Sequence, residues 1–124
     1  MGLTRVPVQL RSFGSKETET FKANFLVDTG ALDSMVPASE LRKIGIEPVG
    51  KRTYELASGE LLDYEYGHAE MSFLDEIIVT HIVFGPDNTE PILGRIALHT
   101  AGFIVDPVNE KLTRLRARPL KRVA

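Results

Sequence analysis

Apolar side chains at Val6, Val8 and Leu10 alternate with polar neighbours, the period-two pattern of a strand with one buried face. Phe13 to Glu19 breaks that pattern and reads as a turn. Thr20 to Val27 resumes as a strand, and its closing apolar triplet Phe25, Leu26 and Val27 predicts burial on both faces. Pro37 followed by Ala38 to Lys43 predicts a short helix, with Pro at an early position and Gly45 as its left-handed stop. Arg52 to Ala57 and Glu60 to Ser72 predict a long polar hairpin turning through Ser58 and Gly59, with Tyr54, Tyr64 and Tyr66 at strand-favouring positions. Glu76 to Phe84 is rich in Ile and Val and predicts a core strand closed by Gly85, Pro86, Asp87 and Asn88. Pro91, Ile92 and Leu93 lead into Gly94. Ile96, Ala97, Leu98 and Ala101 suit a second short helix stopped by Gly102, and Phe103 to Val105 with Lys111 to Leu115 form a closing hairpin. The pattern is that of a mostly β chain with two short helices.

The length of 124 residues fits one domain, and no repeat, low-complexity tract or linker divides it. The domain is read as 1–124, with a basic C-terminal extension from about 114 that carries Arg114, Arg116, Arg118, Lys121 and Arg122. A net charge of −2 exerts no overall pull toward nucleic acid or anionic lipid, so the basic tail reads as a solvated face. Nucleic acid is not an expected partner. The absence of cysteine excludes a disulfide scaffold, a thiolate nucleophile and a thiolate zinc site. His68, His81 and His99 lack the close spacing of a helical metal pair, and neither a metal nor an organic cofactor is expected. Met1 to Gln9 lacks the apolar core of a signal peptide, and the strongly apolar stretch Ile77 to Phe84 is far below the roughly 20 residues of a membrane helix. A cytoplasmic location without membrane attachment is the expectation.

Chemistry concentrates at Asp28, Thr29 and Gly30. An apolar strand that ends in Asp-Thr-Gly holds a carboxylate still: Gly30 permits a tight turn in which backbone N–H groups approach the Asp28 oxygens, and Thr29 adds a hydroxyl able to lock the loop. One carboxylate is a poor peptidase, because hydrolysis needs both a base to activate water and an acid to protonate the substrate. The chain holds a single Asp-Thr-Gly, and a two-fold axis beside Asp28 is the economical source of a second carboxylate.

Three segments, in order and spacing, resemble the retropepsin-like aspartic proteases. They are Phe25-Leu26-Val27-Asp28-Thr29-Gly30-Ala31, the hairpin around Ala57, Ser58, Gly59 and Glu60, and Ile92-Leu93-Gly94-Arg95-Ile96-Ala97-Leu98. The resemblance covers roughly residues 5 to 115 and implies a closed barrel-like acid-protease protomer, active as a homodimer on a protein or peptide substrate. It implies that Asp28 from each subunit activates water and protonates the substrate carbonyl, while Thr29 hydrogen-bonds across the dimer axis. Gly30 offers its backbone to the carboxylate or substrate, and Ala31 lines the site beside it. Ala57, Ser58, Gly59 and Glu60 form a flap that closes over an extended peptide, and Leu93 and Gly94 pack behind the loop.

Two features depart from the viral pattern. Leu32 stands where many viral relatives carry an acid that pairs with the Arg of the Gly-Arg segment, so Asp33, one residue on, is the candidate partner for Arg95. The basic C-terminal extension replaces a short apolar terminal strand. Ala31, where pepsin-like enzymes commonly carry Ser, removes one donor to the carboxylate, and a mildly acidic optimum is expected. A catalytically silent dimeric module that captures extended peptides is the alternative of a different class.

Overall fold

The computed structural model describes residues 4–14, 19–106, 108–109 and 111–121. Its elements are β1 (Arg5–Ser12), β2 (Thr20–Val27), β3 (Ser34–Pro37), α1 (Ala38–Lys43), β4 (Gly50–Glu55), β5 (Leu61–Phe73), β6 (Glu76–Gly85), β7 (Ile92–Leu93), α2 (Arg95–Thr100), β8 (Phe103–Asp106) and β9 (Lys111–Arg114). The chain is mostly β with two short helices, as the pattern of apolar positions predicts.

Strand pairing closes on itself. β1 pairs antiparallel with β2, β2 parallel with β7, β7 antiparallel with β3, β3 parallel with β6, and β6 antiparallel with β5. β5 returns to β1 from Gln9↔Ser72 to Ser12↔Ala69, while β4 hangs on the outer part of β5. β5 spans 13 residues, long enough to serve both the ring and the β4 hairpin. Val6, Val8 and Leu10 fill the interior from β1, opposite Met71 and Phe73 of β5, Ile82 and Phe84 of β6, and Leu98 of α2. The alternation at the start of the chain is therefore the inward face of a closed sheet.

Two local expectations change. Of the triplet at the end of β2, Phe25 is fully buried, whereas Leu26 and Val27 are half-buried. β2 pairs with β7 over only two residues, Leu26↔Ile92 and Val27↔Leu93, which leaves its end open on one side. β3 lies in a stretch that carried no strand signal. It has four residues and ends in Pro37, yet Ser34 and Val36 are 1% and 0% exposed because β6 and β7 flank it.

The helix stops follow glycine. Gly45 sits at φ +84°, and the N–H groups of Gly45 and Ile46 close back onto the carbonyls of Arg42 and Leu41 at 3.1 and 3.0 Å. α2 starts at Arg95, one residue before the expected apolar run, and Gly102 ends it at φ +87°.

The basic extension is only partly a solvated face. Arg114 donates to Glu76 and to the Leu74 carbonyl, both at 2.7 Å, and its guanidinium lies 4.7 Å from the centre of the Phe103 ring. Arg118 approaches Glu76 at 3.6 Å. These contacts fold β9 and the segment after it against the β5–β6 turn, while Arg116 and Lys121 remain exposed. Arg122 and residues 15–18 of the first turn lie outside the described residues. Among the described residues, no helix is long and apolar enough to cross a membrane.

Candidate active site

Asp28 is the first residue beyond β2, and backbone bonds fix it from two sides. Its N–H donates to the Leu93 carbonyl at 3.0 Å, which extends the β2–β7 pairing, and its own carbonyl accepts from Ala31 at 3.1 Å. The side chain bends back so that Oδ1 accepts the Gly30 N–H at 3.0 Å. A Cβ on residue 30 would stand 3.2 Å from that oxygen, so glycine leaves the carboxylate its room. Asp28 and Ala31 are half-buried, while Thr29 and Gly30 are exposed.

The segment around Leu93 and Gly94 passes directly behind this loop. Arg95 N–H donates to the Ala31 carbonyl at 2.9 Å, Ile96 N–H to the Leu32 carbonyl at 3.0 Å, and Gly94 N–H to Ser34 Oγ at 3.0 Å. Leu93 is fully buried. The first turn of α2 thus uses its otherwise unpaired N–H groups to hold the loop that carries Asp28. Sequence reasoning brought Leu93, Gly94 and Arg95 to this place but missed Ser34, whose hydroxyl sits in the unrecognised strand β3.

Arg95 and Asp33 do not pair. Asp33 turns to the β4–β5 hairpin, where Tyr54 Oη donates to its Oδ2 at 2.7 Å and Arg52 Nη1 stands 3.8 Å away. Among the described residues, no carboxylate pairs with the Arg95 side chain, which lines a cavity of about 330 Å³ with Thr29, Leu98, His99, Phe103, Ile104 and Val105. The neighbour one position along the chain was the wrong partner to expect, since Asp33 points toward a strand twenty residues later.

Ala57, Ser58, Gly59 and Glu60 form the exposed tip of the hairpin. Gly59 adopts φ +88°, its N–H donates to the Leu56 carbonyl at 2.8 Å, and Glu60 N–H donates to Ser58 Oγ at 3.3 Å. The link between this hairpin and the Asp28 loop runs lower down, through Tyr54 and Asp33. Arg52 and Tyr54 alternate along β4 and so share a face, which is the one sequence signal that pairs them.

Burial, the hydrogen bond to Asp33 and the charge of that carboxylate push the Tyr54 hydroxyl from 10.0 up to about 12, with Arg52 acting in the opposite sense. A group raised on folding contributes stability that is intact below its unfolded value and lost as pH rises through the folded one. The expected result is that, in an alkaline absorbance titration, one tyrosine of the three ionises near pH 12, and that Tyr54→Phe removes this transition. Loss of a different transition would place the bonded hydroxyl elsewhere.

His68 and His81, separated in sequence, face each other across β5 and β6 with ring centroids 5.0 Å apart. Burial and then the nearby Arg52 lower the pKa of His81, and Arg52 Nη1 lies 3.5 Å from His81 Nδ1. A fixed cation at that distance opposes a metal ion on the same ring. Among the described residues, no three or more His, Asp or Glu side chains converge as a metal site.

No family model matches this chain, and no curated protein sequence matches it. Among solved structures it is similar to EIAV protease complexed with the inhibitor HBY-793, with a TM-score of 0.53 and 18% sequence identity over 79% of this chain and 86% of that one. The likeness is one of fold: a retroviral-protease architecture, with Asp28 at the end of its second strand.

Proposed function

We propose that this chain is one half of a homodimeric aspartic endopeptidase, with Asp28 from each of two copies as the reacting dyad. The observation that carries the reading is the held carboxylate of Asp28. It is half-buried, its Oδ1 accepts the Gly30 N–H at 3.0 Å, and it sits on a loop bound from behind by Leu93 and α2. The retroviral-protease fold supports the same reading.

Two such carboxylates brought together by a two-fold axis share one proton, because both cannot stay ionised at close range. The ionised one takes a proton from a water molecule as that water attacks the peptide carbonyl. The protonated one gives its proton to the carbonyl oxygen, so the tetrahedral intermediate is neutral and no covalent enzyme adduct forms. Collapse returns the hydroxyl proton to one carboxylate while the other protonates the departing amine, and the dyad is restored. Neither a metal nor an organic cofactor enters this scheme.

The hairpin tip at Ala57, Ser58, Gly59 and Glu60 is exposed and tied mainly to itself, as suits a flap over an extended peptide. Thr29, Gly30 and Ala31 line the floor beside Asp28. Ile104, 40% exposed, lines the Thr29 and Arg95 cavity, and Leu32, 50% exposed, follows the Asp28 loop; both give the partner copy an apolar surface to cover. Among the described residues β8 pairs only with β9, and its other edge is where the partner copy would add. The domain works within a cytoplasmic setting and on protein or peptide substrates.

Cleavage of a peptide library at increasing protein concentration, with sedimentation run in parallel, tests the reading. The rate per chain is expected to rise with the dimer fraction and to level off when dimerisation is complete. A confirmed dimer that cleaves nothing from mildly acidic to neutral pH would overturn it in favour of a silent peptide-binding module.

A further inference from the structure

Asp33 is a buried charge that the reaction above leaves unused. Its side chain is 2% exposed, Tyr54 Oη donates to Oδ2 at 2.7 Å, and Arg52 Nη1 stands 3.8 Å away. Its other oxygen, Oδ1, is buried and has no hydrogen-bond partner among the described residues. A buried carboxylate oxygen without a partner is costly and calls for an explanation in the working of the site.

The two partners come from one strand. Among the described residues β4 pairs only with β5, so on its outer side the hairpin is restrained by side-chain contacts. Arg52 is itself held, with its guanidinium 4.0 Å from the centre of the Tyr66 ring. Gly50 leaves room for that ring, since a Cβ there would meet it at 3.0 Å. Asp33, for its part, belongs to the same connection as Asp28, and its backbone lies against Gly94.

We propose that Asp33 is a positioning residue that latches the base of the β4–β5 hairpin to the loop carrying Asp28. Tyr54 is the fixed point, and the hairpin bends only beyond it, so the tip at residues 57–60 descends at a set height over the carboxylate. Tyr54 makes the short bond of the latch at 2.7 Å, and Arg52, 3.8 Å from the same Oδ2, holds the carboxylate more loosely from the same strand. This inference rests on the proposed protease reading for its consequence in turnover, but the latch itself is a property of the free chain.

Hydrogen exchange on the full chain tests it through Tyr54→Phe, Asp33→Asn and Thr53→Val. Thr53 bonds Asp63 at 2.6 Å and is the neighbouring hydrogen bond of the same hairpin, outside the latch. Tyr54→Phe is expected to speed exchange at the Leu56 and Gly59 amides by about tenfold, which corresponds to about 1.4 kcal/mol. Asp33→Asn keeps an acceptor for the hydroxyl and is expected to give a smaller increase. Thr53→Val is expected to change these amides less than twofold, and amides of β1 and β2 are expected to be unmoved in all three.

On a cleaved peptide, Tyr54→Phe is expected to raise KM severalfold with kcat nearly unchanged. Hairpin amides that exchange at the wild-type rate in both Tyr54→Phe and Asp33→Asn overturn the latch, as does equal acceleration in β1 and β2, which marks a purely structural role. If no peptide is cleaved by the wild type, the exchange result still decides the latch, and only the protease reading falls.

Discussion

Asp28→Asn is expected to abolish peptide cleavage while leaving the fold and the pairing of two copies in place. Asparagine has nearly the same shape, and its amide oxygen can keep the bond from Gly30 N–H that Asp28 Oδ1 now accepts at 3.0 Å. The remaining anchors of the loop are backbone bonds, from Asp28 N–H to Leu93 and from Ala31 N–H to Asp28, and no side-chain change touches them. What asparagine lacks is a carboxyl group that can take up and release a proton, the step on which both halves of the hydrolysis depend. A loss on the order of 10⁴-fold in kcat is expected, the upper end for removal of a general acid–base group.

Because the proposed dimer draws one carboxylate from each copy, adding the variant to the wild type is expected to depress activity, as mixed dimers would hold one carboxylate. Thermal melting and sedimentation of the variant separate chemistry from folding. If more than a tenth of the activity survives in a variant free of wild type, Asp28 is not the reacting group.

The parts of this fold legible from the sequence are those governed by local rules. β1 declares itself by the alternation Val6, Val8, Leu10, and the helix stops by Gly45 and Gly102, each needing only a residue and its neighbours. Asp28, Thr29 and Gly30 stand out for the same reason, since a carboxylate, a hydroxyl and a glycine at the end of an apolar strand form one local device. What escaped depends on distant pairing. β3 is four residues long and reads as strand only because β6 and β7 enclose it, and without it Ser34 is one more loop serine.

The partner of Asp33 lies on β4, and the His68–His81 pair exists only because of the β5–β6 register. Arg114 and Arg118 look like part of a free basic tail until the β5–β6 turn brings Glu76 beneath them. The same limit applies to the second carboxylate, which in the proposed enzyme comes from another chain.

Gly94→Ala is expected to be the most damaging small substitution outside Asp28. Gly94 has φ −89° and ψ 175°, ordinary extended backbone, so its requirement for glycine is one of space. A Cβ there would lie 2.6 Å from both the carbonyl carbon and oxygen of Asp33 and 2.8 Å from the Leu32 carbonyl oxygen. These are backbone atoms that no rotamer change moves aside. Relief requires the β2–β3 connection and the start of α2 to separate, which strains the bonds from Gly94 to Ser34, from Arg95 to Ala31 and from Ile96 to Leu32 together.

Overpacking alone costs about 1–3 kcal/mol, and strained bonds to buried groups add to it, so a loss of roughly 3 kcal/mol is expected. For a domain of this size that lowers Tm by about 10 °C or more. Gly59→Ala gives the contrast: residue 59 is at φ +88° with nothing within 4 Å of an added Cβ, so it bears a dihedral cost of about 1 kcal/mol and no clash. Below its melting temperature, Gly94→Ala is also expected to lose about 10²-fold in cleavage, because the displaced loop is the one that aims Asp28. Equal melting temperatures for Gly94→Ala and the wild type would mean that the two segments separate freely, and the rigid backing assigned here to the Asp28 loop would then be absent.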